Sequence, residues 1–227
     1  RMPVWGTCLG FEQLILYSSG QQWPGPLSSG WDSEELALPI NFTASARQVS
    51  SLLEDWPQEL LEAAAHEPWA WHFHVHGVGT ERFARSPELV KFWHVLATNR
   101  DRAGHEFVSL VQAKNKLPFF ASQFHPEKNM YEFEMPANAS VNGTLQVHSS
   151  EAIAGMNRFA AFFVDQARGF RGFRFTTEEF WRWSIDSWPV LIAGHVKGTE
   201  RRTPHMQVYV FPPWRSADDS SSFVQFS

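Results

Sequence analysis

The sequence has a single cysteine, Cys8, among 227 residues, so no disulfide can form within it and a disulfide-stapled fold is excluded. No charge of one sign dominates: 19 basic and 24 acidic side chains, with no run of Lys or Arg, leave no electrostatic footprint for nucleic acid. Long apolar runs are missing too. The longest reach about half of the ~20 residues that a membrane-spanning helix needs, so none is expected. What remains is enough chain for one sizeable domain with a full core, and that chain is rich in aromatics, 20 Phe and 11 Trp.

Cys8 lies in Gly6-Thr7-Cys8-Leu9-Gly10, between the apolar lead Pro3-Val4-Trp5 and the amphipathic segment Phe11 to Tyr17. The pattern predicts strand, tight turn and helix. Glycines on both sides permit the strained backbone that lifts a nucleophile above a sheet. There the sulfur would lie near a helix N-terminus, where free N–H groups and the macrodipole favour thiolate. A lone cysteine is also often just a small buried hydrophobe, so a second element is needed. Phe119-Phe120-Ala121-Ser122-Gln123-Phe124 is a strand-like run that ends in His125-Pro126-Glu127. A histidine at the end of a strand can serve as general base, with a carboxylate two residues on to orient it.

With these two motifs, the sequence resembles the class I glutamine amidotransferase superfamily, and within it the gamma-glutamyl hydrolase family. Supporting likeness runs from Pro3 to about Phe211, through Pro39-Ile40-Asn41-Phe42-Thr43, Phe73-His74, Val95-Leu96-Ala97-Thr98-Asn99 and Phe159-Ala160-Ala161-Phe162-Phe163-Val164. Amidotransferases of this class usually carry Gln four residues after the cysteine. Here that position is Glu12, as in the hydrolases, which favours hydrolysis over ammonia delivery. The resemblance implies a three-layer α/β/α, flavodoxin-like domain around a mostly parallel sheet, spanning residues 1–215 with a disordered tail at 216–227.

The resemblance also implies a mechanism. Cys8, His125 and Glu127 would form the triad, and the Leu9 N–H would be one oxyanion donor. His74 matches a histidine of the family's active-site cleft, so His74 and Glu12 are the substrate-binding candidates. The substrate would be a poly-gamma-glutamylated small molecule such as a folate. No cofactor or metal is required, a homodimer is a family expectation, and the compartment would be lysosomal, vacuolar or secreted. In this family strands and a second oxyanion loop precede the nucleophile strand, so the sequence is expected to lack the N-terminal part of its domain. The rival readings are an amidotransferase domain that feeds ammonia to a synthase and a paralogue that binds without catalysis.

The rest of the chain reads more plainly. Ser18 to Glu35 is rich in Ser, Gly and Pro and predicts a long surface loop. Leu36 to Ile40 predicts a short strand, at a sheet edge because of Pro39. Gln48 to Leu53 and Pro57 to Ala65 have helical spacing, as does Glu88 to Val95 before a strand at Val95–Thr98. Asn99 to Gly104 predicts a turn, Glu106 to Gln112 a strand, and Glu151 to Arg168 an amphipathic helix. That helix would be capped by Ser149 or Ser150, with Ile153, Met156, Phe159, Ala160, Phe163 and Val164 on its apolar face.

Trp71-His72-Phe73-His74-Val75-His76 would place three histidines on one face of a strand. A zinc site there is disfavoured, because a strand sets the residues in line whereas tetrahedral ligation needs convergence. His72 and His76 are expected at the surface. Asn41, Asn138 and Asn142 each open a glycosylation pattern. Arg171 and Arg174, among phenylalanines, are candidates for attracting a polyanionic substrate tail.

Overall fold

The computed structural model describes residues 1–131, 146–172, 175–193 and 206–209. By internal packing the chain divides into two compact units, Arg1–Gly172 and Phe173–Ser227.

In the first unit, β1 (Val4–Thr7) leads into α1 (Leu9–Ser19), followed by β2 (Ser28–Leu38), β3 (Asn41–Phe42), α2 (Ala46–Val49) and α3 (Gln58–His66). Next come β4 (Ala70–Gly77), α4 (Thr80–Ala84), α5 (Pro87–Phe92), β5 (Trp93–Arg100), β6 (Glu106–Ala113), β7 (Phe119–Ser122), α6 (Lys128–Tyr131) and α7 (Ser150–Gly169). The main sheet has the order β1-β7-β6-β5-β3, and β2 pairs with β4 in a separate ribbon.

The α/β class is as expected. In the described residues the sheet is mixed: β1 and β7 are parallel, and the other three pairings are antiparallel. Helices cover both faces. On one, Phe11 and Ile15 of α1 and Leu89 of α5 pack on Val108, Val111 and Ala121. On the other, Ala152, Met156 and Phe159 of α7 pack with Trp56, Trp69, Leu96, Leu110 and Phe124. Ser109 is an extra residue in the pairing of β6 with β5, where Ala97 faces Leu110 and Thr98 faces Val108, and this shift puts Val108 on the same face as Val111, opposite Leu110.

Several local expectations need correction. Ser28–Glu35 is strand rather than loop, continuous with the strand read from Leu36, because its mostly small and polar residues find a partner in β4. Register shifts at Ser29/Ser33 and Ser33/Leu36, with Glu35 at φ 51°, absorb the mismatch. The helix read at Gln48–Leu53 is α2, ending at Val49, beyond which the Ser50 hydroxyl accepts from the N–H groups of Leu52 and Leu53. The turn read at Asn99–Gly104 starts two residues later, since Asn99 and Arg100 pair with Phe107 and Glu106. Helix α7 is capped by Ser149, whose Oγ accepts from the Ala152 N–H. Its buried face is Ala152, Gly155, Met156 and Phe159, while Val164 is exposed.

The second unit contains α8 (Thr177–Trp183), begun by a reciprocal Thr176–Glu179 capping box, and a two-stranded antiparallel sheet of β8 (Val190–Ala193) and β9 (Met206–Tyr209). The tail read at 216–227 lies outside the described residues. Among the described residues no helix is long and apolar enough to cross a membrane.

Candidate active site

Strand β1 delivers Cys8 to its C-terminal end, and the Cys8 N–H donates to Ser122 O at 2.9 Å, extending the parallel ladder past Thr7. Cys8 then turns the chain at φ 51° and ψ −105°, a region costly for a residue with a Cβ, and becomes the N-cap of α1. Its carbonyl accepts from the Glu12 N–H at 3.0 Å. The strain thus rests on Cys8 itself, and not on the flanking glycines. Gly6 has a different role. A Cβ on it would lie 2.6 Å from the carbonyl carbon and oxygen of Gly10, so only glycine lets the strand pass this close under the helix. Gly10 has open space where a side chain would be.

His125 arrives three residues after β7 ends. Its Nδ1 is 2.7 Å from Glu127 Oε1, and its ring lies beside the Cys8 side chain, close enough for the two to interact electrostatically. Burial disfavours the imidazolium, but the interactions with Cys8 and Glu127 outweigh it and raise the His125 pKa to about 9. For Glu127, burial alone would raise the pKa, and the His125 bond and charge reverse that, holding the carboxyl below its ordinary range. The three side chains named from the sequence are therefore brought together as one unit. The first N–H groups of α1, starting at Leu9, have no partner within the helix, and Leu9 itself is exposed. Free N–H groups and the dipole at the start of a helix favour negative charge nearby.

Strand β4 supplies the third wall, by a route the sequence does not advertise. Trp71 O accepts from the His125 N–H at 2.8 Å, and Phe73 O lies 3.8 Å from Cys8 Sγ. Successive odd-numbered carbonyls of one strand therefore meet the His125 backbone and the Cys8 side chain.

Glu12 is buried, one turn into α1, and its Oε1 accepts from Gln123 Nε2 at 3.1 Å. Burial raises its pKa against the Gln123 bond and the His76 charge. This pair ties α1 to the segment before His125, and Gln123 was not among the candidate site residues read from the sequence. His74 is 5% exposed, with Nδ1 2.7 Å from His76 O and Nε2 3.2 Å from His72 Nδ1, so both ring nitrogens are engaged within the protein. Burial, ahead of the charges of His125 and His76, lowers its pKa to about 4.

His72 is fully buried against Phe107 and Phe124, not at the surface as expected. The ribbon is inverted relative to a simple apolar-in pattern, with Phe73 and Val75 exposed. His76 packs its ring on Trp23 at 5.3 Å. Among the described residues no group of three or more His, Cys, Asp or Glu is arranged to hold a metal ion.

Asn41 is exposed on β3, its Nδ2 donating to Thr98 Oγ1, whereas Asn138 and Asn142 lie outside the described residues. Arg171 lines a cavity of about 710 Å³ with Arg1, Lys116, Pro118 and Asp165, at the end of β1 and β7 opposite to Cys8. It does not face the cysteine. Arg174 lies outside the described residues.

Residues 1–140 match the family model of glutamine amidotransferase class-I. The chain is 37% identical over 166 residues to gamma-glutamyl hydrolase of Homo sapiens, an alignment covering 73% of this chain and 48% of that protein. It is 36% identical over 168 residues to the Mus musculus gamma-glutamyl hydrolase, covering 74% and 49%. With gamma-glutamyl hydrolase B of Dictyostelium discoideum it shares 31% over 166 residues, covering 73% and 44%. The chain spans about half the length of these curated relatives.

Proposed function

Because the chain belongs to the glutamine amidotransferase class-I family, with gamma-glutamyl hydrolases as relatives, we propose that it is a cysteine-dependent gamma-glutamyl hydrolase. Its substrates on this reading are folylpoly-gamma-glutamates or related gamma-glutamyl peptides. The observation that carries the proposal is the His125–Glu127 pair, bonded at 2.7 Å, beside Cys8 at its strained turn.

Cys8 Sγ attacks the gamma-carbonyl carbon, and the carbonyl oxygen takes up negative charge facing the Leu9 N–H and the N-terminal dipole of α1. The tetrahedral intermediate collapses by breaking the C–N bond. His125, held as imidazolium by its two partners, gives its proton to the departing amine nitrogen. Water then loses a proton to His125 as it attacks the thioester carbon, and the glutamyl carboxylate leaves with Cys8 restored. Glu127 keeps the imidazole ring oriented through Nδ1. The chemistry needs no metal or organic cofactor.

Glu12 and His74 would serve substrate binding indirectly, by holding Gln123 and β4 in place, since their polar atoms bond within the protein. Asn41, Asn138 and Asn142 would carry glycans in a lysosomal, vacuolar or secreted protein, and a homodimer is the family's expected assembly.

The test incubates the protein with a pteroyl-poly-gamma-glutamate at acid and neutral pH and follows products by mass, beside Cys8→Ala. Loss of glutamate residues, abolished in the variant, is expected. Release of ammonia from free glutamine without such cleavage would favour an amidotransferase. No cleavage, with Cys8 inert to alkylation in folded protein, would overturn the enzyme reading.

A further inference from the structure

The buried face of β4 holds a proton-counting problem. His74 Nδ1 is 2.7 Å from His76 O, and a carbonyl cannot donate, so Nδ1 carries the hydrogen. Neutral His74 then has a bare Nε2, which accepts from His72 Nδ1 at 3.2 Å. His72 in turn must be the Nδ1–H tautomer, and its Nε2 is bare as well. That nitrogen is buried and has no partner of ordinary geometry.

Beside it lies Asn99, which pairs with Phe107 across β5 and β6, while the His72 ring packs on Phe107 at 5.2 Å. The Asn99 amide Nδ2 is committed to Pro39 O at 2.7 Å, so the oxygen Oδ1 is turned inward, and it too is buried and unpartnered. Two acceptors therefore oppose each other in a pocket walled by Phe107 and Phe124. One added proton on His72 Nε2 converts that opposition into a hydrogen bond, completing an unbroken chain from Pro39 O through Asn99, His72 and His74 to His76 O. His72 also lies between Trp71 and Phe73, whose carbonyls hold His125 and Cys8.

We propose that His72 is a positioning residue that takes up one proton, shared with His74 and bonded to Asn99, on acidification and thereby locks β4 behind Cys8 and His125. The groups that face the pair act in both directions. His125 disfavours the added charge on either ring, His76 disfavours it on His74, and Asp101, from the turn between β5 and β6, favours it on His74. Burial opposes it most strongly, which sets the uptake on the acid side of the ordinary histidine range. The consequence for turnover rests on the hydrolase reading; the tautomers and the proton do not.

Two-bond ¹⁵N–¹H spectra of the ¹⁵N-histidine-labelled protein read both states directly. At neutral pH both His72 and His74 are expected in the Nδ1–H form, and acidification should add a single proton across the pair in one step. Asn99→Asp, which offers His72 Nε2 a charged acceptor, should raise the midpoint by at least about one pH unit, tenfold in proton affinity. His72→Gln, whose amide can donate to Asn99 without titrating, should remove the step. In turnover the step should appear in kcat rather than KM, because the carbonyls of β4 hold the enzyme's own groups and not substrate. A His72 Nε2–H tautomer at neutral pH, or an Asn99→Asp midpoint equal to that of the natural chain, would sink the proposal. If the step is present and no gamma-glutamyl substrate is cleaved at any pH, the hydrolase reading falls and the proton unit stands.

Discussion

Replacing Glu127 by Gln keeps the shape of the His125 partner and removes its charge, so it isolates what the carboxylate does. The His125 pKa is raised to about 9 from an ordinary 6.5, a gap worth about 3 kcal/mol in favour of the imidazolium at roughly 1.4 kcal/mol per unit. Cys8 and Glu127 share that effect against the cost of burial. An opposite charge at bonding distance moves a pKa by about one to three units. The Glu127 side chain is 47% exposed, so solvent screening puts its share near the lower end. Glu127→Gln should therefore lower the His125 midpoint by roughly one unit, a tenfold loss in the imidazolium-to-imidazole ratio. The direct assay is a pH titration of the His125 ring by NMR. Stability gives a second measure. The His125 contribution is complete below pH 6.5 and is lost as the pH rises through about 9, while that of Glu127 is complete above 4.5 and is lost as the pH falls. The stability deficit of Glu127→Gln should accordingly be largest between pH 4.5 and 6.5 and fade towards pH 9. An unchanged His125 midpoint in the variant would show that Glu127 only borders the site.

Gly6→Ala puts a methyl group 2.6 Å from the Gly10 backbone, where no flexible side chain can yield, and should cost about 1–3 kcal/mol. Thermal unfolding should fall by roughly 2–4 °C per kcal/mol, with slower alkylation of Cys8 as the turn shifts; an unchanged Tm would contradict the close approach of β1 and α1. Phe159→Ala empties a site whose ring meets Trp5, Trp56 and Phe124, and should cost about 3–5 kcal/mol in urea unfolding. A loss under about 1 kcal/mol would mean that α7 is not anchored there. Phe73→Leu keeps the carbonyl that faces Cys8 while changing an exposed ring, so Cys8 alkylation should stay within about threefold; a larger change would move the Phe73 contribution from backbone to side chain.

The parts of the molecule that were legible in the sequence are those whose physics is local. The strand–turn–helix around Cys8 follows from Gly-x-Cys-x-Gly between two apolar segments, and the His125–Glu127 bond follows from a spacing of two residues. The long helix announces itself by its period and its Ser149 cap. Most of strand β2, before Leu36, was not legible, because residues such as Ser28, Ser29 and Gly30 carry no strand preference and acquire their conformation from β4, some forty residues away along the chain.

Strand β4 shows a deeper limit. Alternation assigned its histidines correctly to one face, but the usual rule then buries Phe73 and Val75 and exposes the polar set. The reverse holds because His72 and His74 bond to each other and His74 bonds to its own strand, which removes much of the penalty that normally keeps such rings in water. The groups of β4 that touch the site are less visible still. Trp71 and Phe73 act through carbonyl oxygens, which any residue would present equally, so no side-chain pattern marks them. What specifies them is the position of the strand, and that in turn depends on the buried pair and on the β2 pairing. Cys8 and His125 could be read from their own motifs. The strand whose carbonyls meet them could be found only in three dimensions.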